Sequence, residues 1–125
     1  MANDTRSVVE AYFNAWTSKN TDAAYACLHP QLEFIGPSAH FHSAEEFKPG
    51  LEGFAAVTRS AKVTELLVDG DRAAMLYDCE LIAPSETAFR IASFFRVEGG
   101  KIRWYETCFD PTEFRKVMAA MAAKR

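Results

Sequence analysis

The stretch TAFRIASFFRVEGGKIRWYETCF, Thr87 to Phe109, decides how this chain folds. In its first half Phe89, Ile91, Ser93, Phe95 and Val97 fall on one side and Arg90, Ala92, Phe94 and Arg96 on the other, the period-two pattern of a β-strand. Glu98-Gly99-Gly100-Lys101 follows as a turn, since paired glycines accept the left-handed backbone of a two-residue hairpin. Ile102 to Phe109 then returns as the last strand. Upstream the same grammar repeats: Lys62 to Val68 is β-branched and apolar, Asp69-Gly70-Asp71 turns, and Arg72 to Ile82 sets Ala73, Met75, Tyr77, Cys79 and Leu81 on one face. Pro84-Ser85-Glu86 joins the two hairpins. Arms about twice the usual strand length of roughly 5–6 residues should twist and curl.

Helical spacing precedes this run of strands. Val8, Val9, Tyr12, Phe13 and Trp16 recur every three or four residues over Thr5 to Ser18, with Asp4 or Thr5 as the cap. Lys19-Asn20 breaks the pattern, and a short helix over Asp22–Leu28 ends at His29-Pro30. Gln31 to Ile35 reads as a short strand with Leu32 and Phe34 on one face, closed by Gly36-Pro37. Ser43-Ala-Glu-Glu46 spells a capping box for a third helix carrying Phe47, Leu51 and Phe54, with a bend or restart expected at Pro49-Gly50. Asp110-Pro111-Thr112 opens a terminal helix with Phe114, Val117, Met118 and Met121 on its inner stripe. Helices first and antiparallel strands after give an α+β fold in one domain, 1–125. A curled sheet covered by helices encloses a cone, and the aromatic inner face of the strands meets Tyr12, Phe13 and Trp16 across it.

Composition narrows the function classes. The chain has 125 residues, 49% hydrophobic and 25% charged, ordinary globular values that exclude a disordered or disulfide-scaffold polypeptide. Fourteen Lys and Arg against seventeen Asp and Glu leave a net charge of -3 with the basic residues scattered, so no nucleic-acid footprint is present and no such partner is expected. No apolar run is long enough for a bilayer, and the opening residues lack the layout of a secretion signal. Cys27, Cys79 and Cys108 are odd in number and widely spaced, which fits a reducing compartment. A cytoplasmic protein without membrane contact is expected. Ten Phe, four Tyr and two Trp are enough aromatic residues to line a ligand cavity in so small a domain.

With its element order, aromatic first helix, Leu32-Glu-Phe-Ile-Gly-Pro37, and Arg96-Val-Glu-Gly-Gly-Lys-Ile102 leading to Cys108-Phe-Asp-Pro111, the chain resembles the NTF2-like superfamily and, within it, the SnoaL-like proteins. The likeness spans roughly Val8 to Phe114. It implies a cone-shaped, cystatin-like fold: a strongly curved antiparallel sheet packed against three N-terminal helices, with a short C-terminal helix. That fold hosts isomerases, cyclases, hydrolases, dehydratases and non-catalytic partners, so it leaves the activity open. In the ketosteroid isomerase pattern a first-helix Tyr and a sheet Asp donate hydrogen bonds and an Asp before Pro is the base. Matching by element places Tyr12 on the Tyr, Ser93 on the second Asp and Gly36 on the base. Without a carboxylate at Gly36 that proton shuttle is lost. The resemblance to SnoaL cyclases, which carry an acidic residue late in the last strand, points to Glu106 or Asp110. The Asp-Arg-Asp set of limonene-epoxide-hydrolase-like sites has no clear match.

The candidate residues each carry two readings. Asp110 is an acid–base group if it faces an apolar cavity and a helix cap otherwise. His40 and His42 share a face if extended and could bind a metal or act as a base, but with no Cys or third histidine nearby they fit a polar cavity mouth better than a metal site. Tyr12, Trp16, Phe34, Tyr77, Cys79, Ser93, Phe95, Tyr105, Thr107 and Phe109 are expected to form the ligand pocket, as packing residues or as hydroxyl donors to an oxygen-bearing guest. Trp104, Leu76 and Phe94 lie on the opposite, convex face, and large residues there predict a homodimer through it. Phosphate-loop, dinucleotide, serine-hydrolase-elbow and zinc-protease motifs are absent. The expected function is therefore a SnoaL-like protein with an aromatic pocket for a small hydrophobic, oxygenated molecule. It would be an isomerase, cyclase or hydrolase working by proton transfer through Asp110 and His40, without metal or organic cofactor. The alternatives are a non-catalytic ligand-binding module or a dimeric interaction partner.

Overall fold

The computed structural model describes residues 2–123, with side chains from residue 5 onward. Helices α1 (Ala2–Thr17) and α2 (Thr21–Ala26) lead into strands β1 (Leu28–Ile35) and β2 (His40–Phe41) and helix α3 (Ala44–Val57). Strands β3 (Thr58–Asp69), β4 (Arg72–Leu81), β5 (Phe89–Glu98) and β6 (Lys101–Cys108) follow, and helix α4 (Thr112–Ala123) closes the order. The strands form one sheet in the order β2-β1-β6-β5-β4-β3. Neighbours pair antiparallel except β1 and β6, which run parallel. That exception follows from connectivity, because β1 returns to the sheet beside the last strand rather than through a hairpin.

The two tight hairpin turns behave as their glycines require. Gly70 adopts φ +63°, and Gly99 and Gly100 adopt +60° and +77°, the left-handed region that a side chain would strain. Register shifts between Leu28 and Glu33 in β1, twice along β3–β4, and between Arg96 and Val97 in β5 mark bulges. Bulges add local bend and twist, and they curl the sheet over α1.

Several boundaries differ from those read in the sequence. Helix α1 starts at Ala2, so Thr5 lies inside it and donates from its hydroxyl to the Gly70 carbonyl at 2.7 Å. The side chain of Asp4, the other expected cap, lies outside the described residues. Strand β1 begins at Leu28 and takes in His29-Pro30, and His40–Phe41, expected as loop, pairs with β1. Helix α3 is continuous through Pro49 and Gly50 instead of restarting. The intrahelical bond lost at Pro49 would have gone to the carbonyl of Glu45, on a turn exposed to solvent. Ser43 caps α3, accepting from the Glu46 N–H at 3.0 Å. On α4, Val117 is buried whereas Met118 and Met121 are exposed, so the inner stripe is narrower than expected.

The concave face carries the core. Ala73, Met75, Tyr77, Cys79 and Leu81 of β4 and Ile91, Ser93, Phe95 and Val97 of β5 are buried, facing Val9, Tyr12, Phe13 and Trp16 of α1. Phe13 meets Tyr77 edge-on with ring centroids 5.1 Å apart, and Tyr12 meets Tyr105 edge-on at 5.4 Å. Such edge contacts add about 0.5–1.5 kcal/mol each beyond burial. Helix α4 is fixed by Glu113, whose carboxylate accepts from the N–H groups of Glu86 at 2.6 Å and Thr87 at 3.3 Å and from the Ser85 hydroxyl at 3.1 Å. Lys116 pairs with it at 2.8 Å.

Candidate functional site

A cavity of about 190 Å3 lies between α1, α3, the start of α4 and the concave sheet. Cavities of about 150 Å3 already admit a benzene-sized guest, so this one suits a molecule of one or two rings. Tyr12 and Trp16 enter it from α1, where 3.6-residue periodicity stacks them one turn apart on the inner face. The sheet contributes Phe34, Tyr77, Ile91, Tyr105 and Thr107, and α3 contributes Phe47, Gly50, Leu51 and Phe54. Residues 36–39, Phe41, Phe109, Pro111 and Phe114 complete the wall.

The side-chain polarity of this wall is neutral, coming from hydroxyls and the Trp16 indole. The Ser93 hydroxyl lies 3.1 Å from that of Thr107, and Tyr12, Tyr77 and Tyr105 gather around the pair. Burial pushes the Tyr12 and Tyr77 phenols well above their ordinary range, and proximity to Tyr105 adds to it. Tyr105 is pushed up to about 12 by burial, partly opposed by hydrogen bonding with Tyr12 and Ser93. All three phenols are therefore neutral near pH 7 and serve as hydrogen-bond donors, not as bases. No Asp, Glu, His, Lys or Arg lines the cavity among the described residues.

Of the expected pocket residues, Tyr12, Trp16, Phe34, Tyr77, Tyr105, Thr107 and Phe109 lie in the wall. Cys79, Ser93 and Phe95 do not. Ser93 stands behind Thr107, and Phe95 stacks on the far side of Tyr105 at 4.8 Å. Cys79 is fully buried, its thiol pushed up to about 11 by burial against a hydrogen bond with Thr58. The two expected acid–base residues also lie outside the cavity wall. Asp110 is exposed, and its carboxylate accepts from the Thr112 N–H at 3.0 Å and hydroxyl at 2.6 Å, bonds that hold it below its ordinary range. This is the helix-cap alternative, an Asx-type turn at the start of α4. His40 is exposed on the outer side of β2, with Nε2 2.7 Å from Glu33. Alternation along β2 sends Phe41 inward and His40 outward.

Phe41, Phe47, Phe54 and Phe114 complete the cavity, although their spacing in sequence marked only helix stripes and a loop. A Cβ at Gly36 would come to 3.0 Å from the Phe34 ring and 3.7 Å from the Thr107 methyl, so a side chain there would press on that ring.

Helices laid over a curled sheet around an aromatic cavity define the NTF2-like, ketosteroid-isomerase-like class of fold. The chain belongs to the SnoaL-like domain family, which matches residues 9–105. Among solved structures it is similar to a protein from Kribbella flavida, at 23% identity over 94% of this chain and 95% of that one, with a TM-score of 0.83. An NTF2-like protein from Cytophaga hutchinsonii is 22% identical over 89% and 94%, with a TM-score of 0.76. An LEH-like epoxide hydrolase from M. tuberculosis is 20% identical over 98% and 95%, with a TM-score of 0.77. At these identities the likeness is one of fold. None of the curated proteins matches the chain.

Proposed function

We propose that the cavity binds a small hydrophobic molecule bearing one carbonyl or hydroxyl oxygen, and that it holds this guest without transforming it. One observation carries the reading: an apolar wall whose side-chain polar groups are neutral hydroxyls and the Trp16 indole, with no carboxylate or imidazole among the described residues to move a proton. The rings desolvate the guest, and the Tyr12 and Tyr105 hydroxyls orient its oxygen. Catalysis by Asp110 and His40 loses support, because one carboxylate is engaged in a helix cap and the other group points to solvent. Proton transfer of the ketosteroid isomerase kind is disfavoured by the ring at Gly36, and an epoxide-hydrolase-like Asp-Arg-Asp set is missing from the wall.

The test is binding of monocyclic and bicyclic ketones against their parent hydrocarbons, followed by titration calorimetry and native mass spectrometry. The ketones should bind about tenfold more tightly, the worth of one hydrogen bond of about 1–1.5 kcal/mol. Tyr105→Phe should remove the difference while leaving hydrocarbon binding intact. Equal affinity for ketone and hydrocarbon, or chemical conversion of the ketone, overturns the reading.

Assembly follows from the outer sheet face. Phe94 is 51% and Leu67 63% exposed there, beside half-buried Leu76 and Trp104. The flanking charges are of both signs, Arg96 beside Trp104 and Glu106 beside Phe94. A self-complementary patch of this kind fits a second copy of the chain about a two-fold axis. A monomer in light scattering, unchanged in Phe94→Arg, would exclude this. No helix among the described residues is long and apolar enough to cross a membrane, and Cys27, Cys79 and Cys108 are unpaired. Free thiols support placing the protein in the cytoplasm.

A further inference from the structure

On the outer side of the cavity wall, the pairing of β1 with β2 assembles a group that the cavity does not use. Phe34 pairs with Phe41 and Ile35 with His40, a register that brings Glu33 opposite His42. His40 and His42, two residues apart, share the face turned away from Phe41. The Glu33 carboxylate lies between them, Oε2 at 2.7 Å from His40 Nε2 and Oε1 at 2.9 Å from His42 Nδ1. All three donor atoms lie within 4.8 Å of one another. The imidazole side chains are 49% and 67% exposed and the carboxylate 27%, so one side of the group is open to solvent.

We propose that Glu33, His40 and His42 form a binding site for one divalent transition-metal ion of the imidazole-preferring class, with Zn2+ as its representative. Two imidazole nitrogens and a carboxylate oxygen are three protein ligands of the kind such ions take, and the open side leaves room for water or an external ligand. An ion bonded at about 2.0–2.2 Å to each donor would replace the two hydrogen bonds to Glu33, with side-chain rotations that bring one carboxylate oxygen and both ring nitrogens around it.

The ribbon is preorganised on both sides. Its inner face is anchored by Phe34, which stacks on Phe47 at 4.3 Å, and its turn is closed by the Gly36 N–H donating to the Ala39 carbonyl at 2.8 Å. Beyond it, the His42 N–H donates to Glu46 at 2.8 Å, fixing His42 at the start of α3. These contacts hold the backbone that carries the three side chains. The site stands independently of the proposed occupant of the cavity.

The test is calorimetric titration of the chelator-treated full chain with Zn2+ alone, with imidazole resonances followed by NMR. One ion should bind per chain at micromolar affinity, shifting His40 and His42 but not His29, and Mg2+ at the same concentration should not compete. Glu33→Gln and His42→Asn should each weaken binding at least tenfold, and the His40→Asn/His42→Asn pair should abolish it. The two histidine substitutions, at exposed side chains, should leave the metal-free melting curve unchanged. Zn2+ affinity retained in the double variant, or resonances of His40 and His42 that do not respond to Zn2+ in the unsubstituted chain, overturns the proposal.

Discussion

Glu33 and Phe34 are neighbours in the chain, yet they belong to opposite regions of the molecule. Phe34 is buried against Phe47 and Tyr105, while Glu33 faces outward to two exposed imidazoles. His40 and Phe41 repeat the division on the partner strand. One two-stranded ribbon thus builds an apolar wall on one face and a polar cluster on the other. Residues on the inner face should carry stability and affinity for the cavity guest, and residues on the outer face neither.

The largest test of that division is truncation across the ribbon. Phe34→Ala removes a ring that meets three aromatic neighbours and should cost about 3–5 kcal/mol in denaturant unfolding. His40→Ala, one strand away and on the outer face, should stay within about 0.5 kcal/mol of the parent. Comparable losses would mean that the outer cluster is a structural element in its own right. Next in size is Gly36→Ala, whose new methyl meets the Phe34 ring at 3.0 Å. Overpacking of this kind costs about 1–3 kcal/mol, and it should lower affinity for a cavity guest by displacing the ring.

A further probe sharpens the comparison on the outer side. Glu113 differs from Glu33 in being enclosed by its partners: Lys116 first and then the Glu86 N–H hold it down to about 2 from an ordinary 4.5. A carboxyl whose folded value lies below its unfolded one stabilises only when ionised. Its contribution is therefore present above about pH 4.5 and lost as the pH falls toward about 2. The melting-temperature gap between the parent and Glu113→Gln should be largest near pH 7 and close on acidification. A gap independent of pH would show that ionisation of Glu113 contributes nothing to stability.

The sequence made the long-range parts of this comparison legible and hid the short ones. Alternation over β4 and β5 is sustained long enough to fix which side chains face α1, and the paired glycines at 99 and 100 mark the turn from β5 into β6 without ambiguity. The outer cluster escaped because it rests on a two-residue strand, too short to show any period, so Glu33 was never set beside His40 and His42. The parallel pairing of β1 with β6 is a tertiary choice with no local signature. Asp110 carried two readings because capping and catalysis call for the same residue type, and only the direction of its carboxylate separates them. The cavity wall from α3 was hidden for a similar reason: Phe47, Leu51 and Phe54 repeat at helical spacing whether the space they face is filled or hollow.

The smallest expected effect isolates the inner face from helix chemistry. Gly50 and Gly53 both lie in α3 and neither adopts a positive φ, so alanine at either should gain about 0.5–1 kcal/mol of helix propensity. Their surroundings differ. A Cβ at Gly53 meets nothing within 4 Å, whereas one at Gly50 comes 3.7 Å from the Phe41 ring on the rim of the cavity. Both variants should therefore unfold at slightly higher denaturant concentration, and only Gly50→Ala should change the affinity for a bicyclic ketone, in calorimetry, relative to the parent. If Gly53→Ala changed that affinity equally, the effect would belong to the rigidity of α3 and not to the shape of the wall. If neither did, the guest would sit deeper, against Tyr12 and Tyr105, and the rim would only exclude water.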